Sequence, residues 1–334
     1  MSILVTGGAG FIGFHLIAKL LKLGHSVVSI DNLNDYYDPA LKQMRLDQLS
    51  QLAVEVSANY RFIKLDFADR DSVKVLFSAE QFEAVVHLGA QAGVRYSIEN
   101  PEAYIDSNLT GFANILEGCR HSKIAHLIYA SSSSVYGMNK KQPFSTTDKT
   151  DYPISLYAAT KKSNELMAHA YSHLYELPMT GLRFFTVYGT YGRPDMAYYK
   201  FTKAILEGKP IDVYNHGDML RDFTYIDDIV SAIVNLMDKP PVRGASEHSN
   251  AKAAHKVYNI GNNHPVSLRR FITAIESALG QKAIENSLPN QAGDVPVTFA
   301  DIDDLQSYIG FNPSTSIEQG IEKFVNWYRS CPNV

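Results

Sequence analysis

Ser2-Ile3-Leu4-Val5-Thr6-Gly7-Gly8-Ala9-Gly10-Phe11-Ile12-Gly13 opens the chain after Met1, and its reading decides the fold. A β-prone apolar run meets glycines, and an amphipathic stretch, Phe11–Leu23, follows until Gly24 stops it. Gly8, Gly10 and Gly13 satisfy G-x-G-x-x-G, and Gly7 starts an overlapping glycine repeat. Glycines can serve tight packing alone. Between a strand and a helix they also bring backbone N–H groups and a positive helix end against a pyrophosphate. Gly7, Gly10, Phe11, Ile12 and Gly13 are therefore candidate dinucleotide contacts. A second apolar strand, Ser26–Ile30, leads to Asp31, 18 residues after Gly13. A carboxylate there accepts hydrogen bonds from ribose hydroxyls. It would repel a 2′-phosphate, and Asn32 offers no compensating cation, so NAD is expected over NADP.

Working outward, Tyr60–Leu65, Ala84–Leu88, His126–Ala130 and Thr180–Phe185 read as further strands. Helical patterns near Asp71–Ser78, Pro101–His121 and Ser155–Tyr175 fall among them. Continuous apolar strands alternating with helices predict an α/β fold of Rossmann type, a doubly wound parallel sheet covered on both faces. After Phe185 the chain turns irregular at Gly189, Gly192 and Pro194, then resumes with a helix at Tyr198–Glu207 and a late strand at Val257–Ile260. Lys239–His255 is polar and rich in breakers, a surface excursion. The expected division is a dinucleotide-binding domain over 1–185, with strands returning near 211–240 and 256–261, and a smaller C-terminal substrate-binding lobe over 186–334.

The 334 residues are 45% hydrophobic and 20% charged, with net charge −4, an ordinary globular mixture. That balance argues against nucleic acid or a polybasic membrane face as a partner. No apolar run approaches the roughly 18 residues that cross a bilayer. Residues 2–6 lead into glycines without a basic segment before them, so a cytoplasmic protein is expected. Two cysteines, Cys119 and Cys331, are too few for a disulfide framework, and the eleven histidines show no metal-ligand spacing. No metal is expected.

Tyr157 and Lys161 stand at i and i+4, on one helix face. Such pairs also occur on solvated surfaces. Ser131 to Ser134, closing a strand, put four hydroxyls at the sheet edge where ligands bind; a turn or cap would employ one or two of them.

Thr6–Gly13, Ser133-Ser-Val-Tyr-Gly137 and Tyr157-x-x-x-Lys161 together resemble the extended short-chain dehydrogenase/reductase superfamily of nucleotide-sugar-modifying enzymes. Longer strings are similar to its UDP-glucuronate 4-epimerase branch: Asp31–Asp38, Ala92–Ser97, Gly192–Ala197 and Arg221–Asp228. The likeness covers essentially the whole chain. It departs at Thr190-Tyr191, where Pro-Trp is usual.

The resemblance implies that Asp66 and Phe67 frame the adenine and that Leu88, Ala90 and Gln91 pass beneath the cofactor. It makes Ser132, Tyr157 and Lys161 the catalytic group. Tyrosine titrates near 10, so a base working near neutrality needs a shift of about three units; the Lys161 ammonium is expected to favour the phenolate. Ser133, Ser134, Thr186 and Arg193 are expected at the sugar, with Arg193 on a C5 carboxylate or else bracing its loop through Asp195 or Glu207. Arg221 is expected on the diphosphate, Val213 and Tyr214 beside the uracil, and Asp294 on its ribose. Related dehydratases and decarboxylases need carboxylic acids where this chain has Ser133 and Ser134. The expected reaction is C4 epimerisation of UDP-glucuronate through a 4-keto intermediate. The alternatives are a UDP-galactose or UDP-N-acetylhexosamine 4-epimerase and, from another class, a non-catalytic NAD-binding scaffold. Relatives pair the helices near Pro101–His121 and Ser155–Tyr175, which implies a homodimer.

Overall fold

The computed structural model describes residues 1–244, 253–289 and 297–331. Its strands in chain order begin with β1 (Ser2–Thr6), β2 (Ser26–Asp31), β3 (Tyr60–Lys64), β4 (Ala84–His87), β5 (His126–Ser132) and β6 (Met179–Phe184). The short β7 (Thr186–Tyr188), β8 (Pro210–Val213), β9 (Leu220–Arg221) and β10 (Phe223–Tyr225) come next. Then follow β11 (His255–Ile260), β12 (Val266–Ser267), β13 (Ile284–Ser287) and β14 (Val297–Thr298). Seven of these form one parallel sheet in the order β11-β6-β5-β4-β1-β2-β3.

Alternation along β1 explains why the sheet is covered on both faces. Ile3 and Val5 join the apolar cluster on one side, and Leu4 joins the cluster on the other. From β1 the chain builds outward to β2 and β3, then crosses to β4 and builds the other way. The carboxyl ends of β1 and β4 therefore flank the point where strand order reverses, the crevice in which such sheets bind ligands.

Three small sheets make the second lobe: β10 with β7, β9 between β12 and β14, and β13 with β8. Helices Ala197–Leu206, Leu268–Leu279 and Ile317–Ser330 pack beside them, with Phe223 and Phe271 stacked at 4.5 Å. Asp222, at the turn from β9 to β10, ties the lobe to the sheet. Its buried carboxylate accepts N–H bonds from Asn262 (2.6 Å), Ala300 (2.9 Å) and Asn263 (3.2 Å).

Three features depart from the sequence expectations. The strands near 211–240, β8 to β10, pair in the small sheets and not in the large one, and the stretch continues as a helix, Ile226–Met237, which packs on the first helix, Phe11–Lys22; β11 does join the large sheet. The segment 101–121 is not one helix but Pro101–Tyr104, a π-helical stretch Ile105–Gly111, and Phe112–His121. Helix Pro39–Glu55 was not anticipated. Its inward positions include Lys42 and Arg45 beside Leu41, Leu46 and Leu49, so two cations erase the apolar stripe by which helices are recognised.

Candidate active site

The glycine turn closes on itself as the motif requires. Gly7 has φ +70°, and a Cβ there would lie 2.8 Å from the Gly89 nitrogen after β4. A side chain at Gly13 would strike the Gly7 carbonyl, which accepts the Gly10 N–H at 2.9 Å. Helix Phe11–Lys22 starts here with no side-chain cap and no acid in its first turn, which leaves the N–H groups of Phe11, Ile12 and Gly13 to an anion. Asp31, at the end of β2, accepts from the N–H groups of Leu33 (2.9 Å) and Ala9 (3.3 Å). Asn32 donates to Asp66 at 3.0 Å, and Phe67 packs under Gly89. Leu88 and Ala90 line the carboxyl end of β4, and Gln91 is held through both main-chain groups by Asn108 at 2.9 and 3.0 Å. A cradle of bare backbone, an uncapped helix and a carboxylate at the next strand end suits an adenine dinucleotide such as NAD.

Strand β5 and helix Leu156–Tyr175 bring the expected catalytic group together. The serine run divides its work by strand alternation. Ser131 points to the far face and donates to buried Glu165 at 2.7 Å, part of a bidentate ion pair with Arg183 at 2.8 Å. Ser132 donates to the Ser134 hydroxyl at 3.2 Å, and its side chain lowers the Tyr157 pKa. Ser133 and Ser134 begin a short 3₁₀ turn, with the Ser134 N–H bonded to the Ser132 hydroxyl at 3.2 Å. Lys161, one helical turn beyond Tyr157, donates to the Ala130 carbonyl at 2.9 Å, and burial lowers its pKa to about 8.

The electrostatics of Tyr157 differ from expectation. Burial dominates and holds its phenol above the ordinary value; the Ser132 side chain and the charge of Arg193 pull it back. Arg193 thus acts on the phenol, a role that the sequence reading among protein cations gave only to Lys161.

Arg193 itself donates bidentately to Asp195, Nε to Oδ1 at 2.9 Å and Nη2 to Oδ2 at 2.5 Å. The Tyr36 hydroxyl donates to the same carboxylate at 3.2 Å. Glu207, the other partner considered, pairs with Lys209 at 2.7 Å. Thus Arg193 is braced within its own loop and also stands in electrostatic reach of Tyr157. Thr186 lies part-exposed on β7. Arg221, on β9, donates to the Leu220 carbonyl at 3.0 Å. Tyr214 lies near the Arg95 guanidinium, 5.8 Å from its ring. Val213, before it on β8, is 1% exposed, its side chain packed in the core. Asp294 lies outside the described residues.

Several contributors escaped the sequence reading. Asn108, inside the π-helical stretch, donates to the Thr160 hydroxyl at 3.1 Å and accepts from Asn164 at 2.6 Å, locking the Tyr157 helix beside Gln91. Such π turns gather at functional sites, but nothing in the local composition announces one. Lys42 sits 3.8 Å from Asp31. Tyr104, edge-on to Tyr157 at 6.0 Å, donates to the Ala92 carbonyl at 2.9 Å. Among the described residues no cluster of His, Cys, Asp and Glu could hold a metal ion, and no helix is long and apolar enough to cross a membrane.

Comparison with known proteins adds the following. The profile of the NAD dependent epimerase/dehydratase family matches residues 3–261. Protein CapI of Staphylococcus aureus is 58% identical over 98% of each chain. A probable UDP-glucuronate 4-epimerase of Rhizobium meliloti is 48% identical, covering 98% of this chain and 97% of its own. The UDP-glucuronic acid 4-epimerase of Bacillus cereus, solved with UDP-glucuronic acid and NAD, superposes with a TM-score of 0.85 at 33% identity over 99% of each chain.

Proposed function

Because the chain belongs to the NAD dependent epimerase/dehydratase family, we propose that it catalyses NAD-dependent C4 epimerisation of UDP-glucuronate to UDP-galacturonate. The observation that carries this reading is the convergence of Ser132, Tyr157 and Arg193. The Ser132 side chain and a guanidinium charge both act on one half-buried phenol at the carboxyl end of the sheet.

Gly7, Gly10, Phe11, Ile12, Gly13, Asp31, Asn32, Asp66, Phe67, Leu88, Ala90 and Gln91 hold the dinucleotide in this reading, together with Tyr157 and Lys161. Bound NAD supplies the hydride acceptor and donor, and its positive ring lowers the Tyr157 pKa further. Tyr157 takes the proton from the sugar 4-hydroxyl, with Ser132 hydrogen-bonded to the same oxygen, and returns it after the 4-keto sugar has turned over. The water-poor setting that raises the phenol also strengthens every charge acting on it. Lys161, anchored on Ala130, fixes the cofactor ribose.

Arg193, Ser133, Ser134 and Thr186 receive the C5 carboxylate, which in a closed site needs a partner to offset its desolvation. Holding it firmly also disfavours loss of CO₂ from the 4-keto acid, in which the carboxylate is β to the carbonyl. Arg221 takes the diphosphate, Tyr214 the uracil, and Asp294 its ribose. Residues 1–185 then form the cofactor domain and 186–334 mainly the UDP-sugar lobe. A cytoplasmic homodimer belongs to the same proposal: Leu166 and Leu174 are 61% and 64% exposed on helix Leu156–Tyr175, an apolar face suited to a second copy.

Product analysis after incubation with UDP-glucuronate, UDP-galactose and UDP-N-acetylglucosamine tests the reading. Conversion of UDP-glucuronate to UDP-galacturonate is expected. Turnover of neutral sugars alone would establish the neutral-sugar epimerase, and binding of NAD without any turnover would establish the scaffold.

A further inference from the structure

Arg45 is fully buried, and each of its five N–H groups meets an acceptor. Nη1 donates to the Ala9 carbonyl (2.8 Å) and the Tyr37 hydroxyl (2.6 Å). Nη2 donates to the carbonyls of Tyr191 (2.7 Å) and Gly192 (3.2 Å), and Nε also reaches Tyr191 (3.2 Å). The acceptors are one phenol and three main-chain carbonyls, and they belong to distant parts of the chain. Ala9 lies within the glycine turn. Tyr191 and Gly192 immediately precede Arg193, and Tyr191 is held at φ +53°. A buried guanidinium with three carbonyl dipoles on it is a costly arrangement unless its geometry is used. A second tie runs in parallel: His15, on the helix that the glycine turn opens, hydrogen-bonds the Thr190 carbonyl at 2.8 Å.

We infer that Arg45 is a positioning residue that couples the glycine turn to the loop carrying Arg193. Cofactor retention and recognition of an acidic sugar then depend on one planar fork. The coupling rests on the reaction proposed above for its sugar half, while its cofactor half needs only the glycine turn. Because carbonyls cannot follow a displaced guanidinium independently, a shift of Ala9 on cofactor binding is transmitted to Gly192 and so to Arg193. A lysine keeps the charge but has three donors and no plane, so it cannot bridge all three carbonyls.

The test compares wild type with Arg45→Lys, Arg45→Gln and Tyr37→Phe, each first checked for native circular dichroism and melting. NAD affinity and the affinities for UDP-glucuronate and UDP-glucose are measured by calorimetry, and amide hydrogen exchange across residues 189–196 is followed with and without NAD. Losing two of the five hydrogen bonds should weaken NAD and UDP-glucuronate about tenfold each in Arg45→Lys, with UDP-glucose changed less than about threefold. Tyr37→Phe, which removes one acceptor and leaves the fork in place, should move the same quantities in the same direction by about threefold. NAD should protect the 189–196 amides in wild type and not in Arg45→Lys. Full rescue by lysine, equal losses on both sugars, or NAD protection unchanged in Arg45→Lys would each overturn the coupling. If wild type neither binds nor converts UDP-glucuronate, the proposed reaction fails, while the exchange experiment still decides the coupling.

Discussion

Arg193→Ala separates recognition of the sugar acid from assistance to the base, because the proposed reaction gives Arg193 both tasks. Removing the guanidinium leaves Asp195, now paired at 2.9 and 2.5 Å, with only the Tyr36 hydroxyl at 3.2 Å. An uncompensated carboxylate then stands where the substrate's own carboxylate must bind. Truncating one partner of a close charge pair costs about 2–5 kcal/mol, so affinity for UDP-glucuronate should fall roughly 30-fold to several thousandfold. Affinity for UDP-glucose, which brings no second anion, should change far less. The loss of positive charge also raises the Tyr157 pKa, so kcat at neutral pH should drop for any sugar that turns over, and the acid limb of its pH profile should move to higher pH. The double variant Arg193→Ala/Asp195→Ala removes the repelling anion and should recover part of the UDP-glucuronate affinity. Calorimetry with both sugars and a pH profile of turnover read these quantities independently. Equal affinity losses on acidic and neutral sugars, with no recovery in the double variant, would show that Arg193 only braces its loop.

Tyr157→Phe removes the proton acceptor and keeps the ring; kcat should fall by about 10² to 10⁴ while NAD binding persists, and near-normal turnover would assign the base elsewhere. Asp31→Ala/Asn32→Arg should shift binding from NAD toward NADP, helped by Lys42 3.8 Å from Asp31; a titration with both cofactors checks this, and tighter NADP binding by the unaltered protein would refute it. Four histidines, His87 and His126 buried and His15 and His255 half-buried, give a pH prediction. Burial lowers His15, His126 and His255 to about 4 and His87 to about 3, from 6.5. Between those values the unfolded chain binds protons that the folded chain does not, so stability is full above about pH 6.5 and declines as pH falls toward 4. Urea midpoints measured from pH 8 to pH 4.5 should drop steeply, and a flat profile would contradict the depressed pKa values of these rings.

Legibility in the sequence followed from whether a residue's task is local. The glycine turn, Asp31 and the Tyr157–Lys161 pair act through spacings fixed by one turn or one helix, and the structure places them where those spacings say. The serine run was legible only as a group: strand alternation, which sends Ser131 to Glu165 and Ser132 to Tyr157, needs the sheet to be known. Which way Val213 faces was not legible, because a residue at the end of a strand can face either way, and the side chain of this one packs into the core. Arg45 and Lys42 were illegible for a related reason. Cations on the buried side of helix Pro39–Glu55 look like a solvated surface until the carbonyls that receive them are brought in from elsewhere in the chain. The π turn at Asn108 is tied to the Tyr157 helix by Thr160 and Asn164, residues more than fifty positions on, which a local reading does not connect to it.

The position of β11 bears on how the protein is made. β6 ends at Phe184, yet the strand that covers its outer edge does not begin until His255. During synthesis the cofactor-binding half therefore emerges with a buried strand, Met179–Phe184, open along its outer edge, and must wait for most of the second lobe before that border is closed. Open edges of this kind invite pairing with other chains. A fragment ending after residue 185 should therefore associate rather than stand alone. Insertions between β6 and β11 prolong the exposed interval, whereas additions after residue 331 leave it untouched.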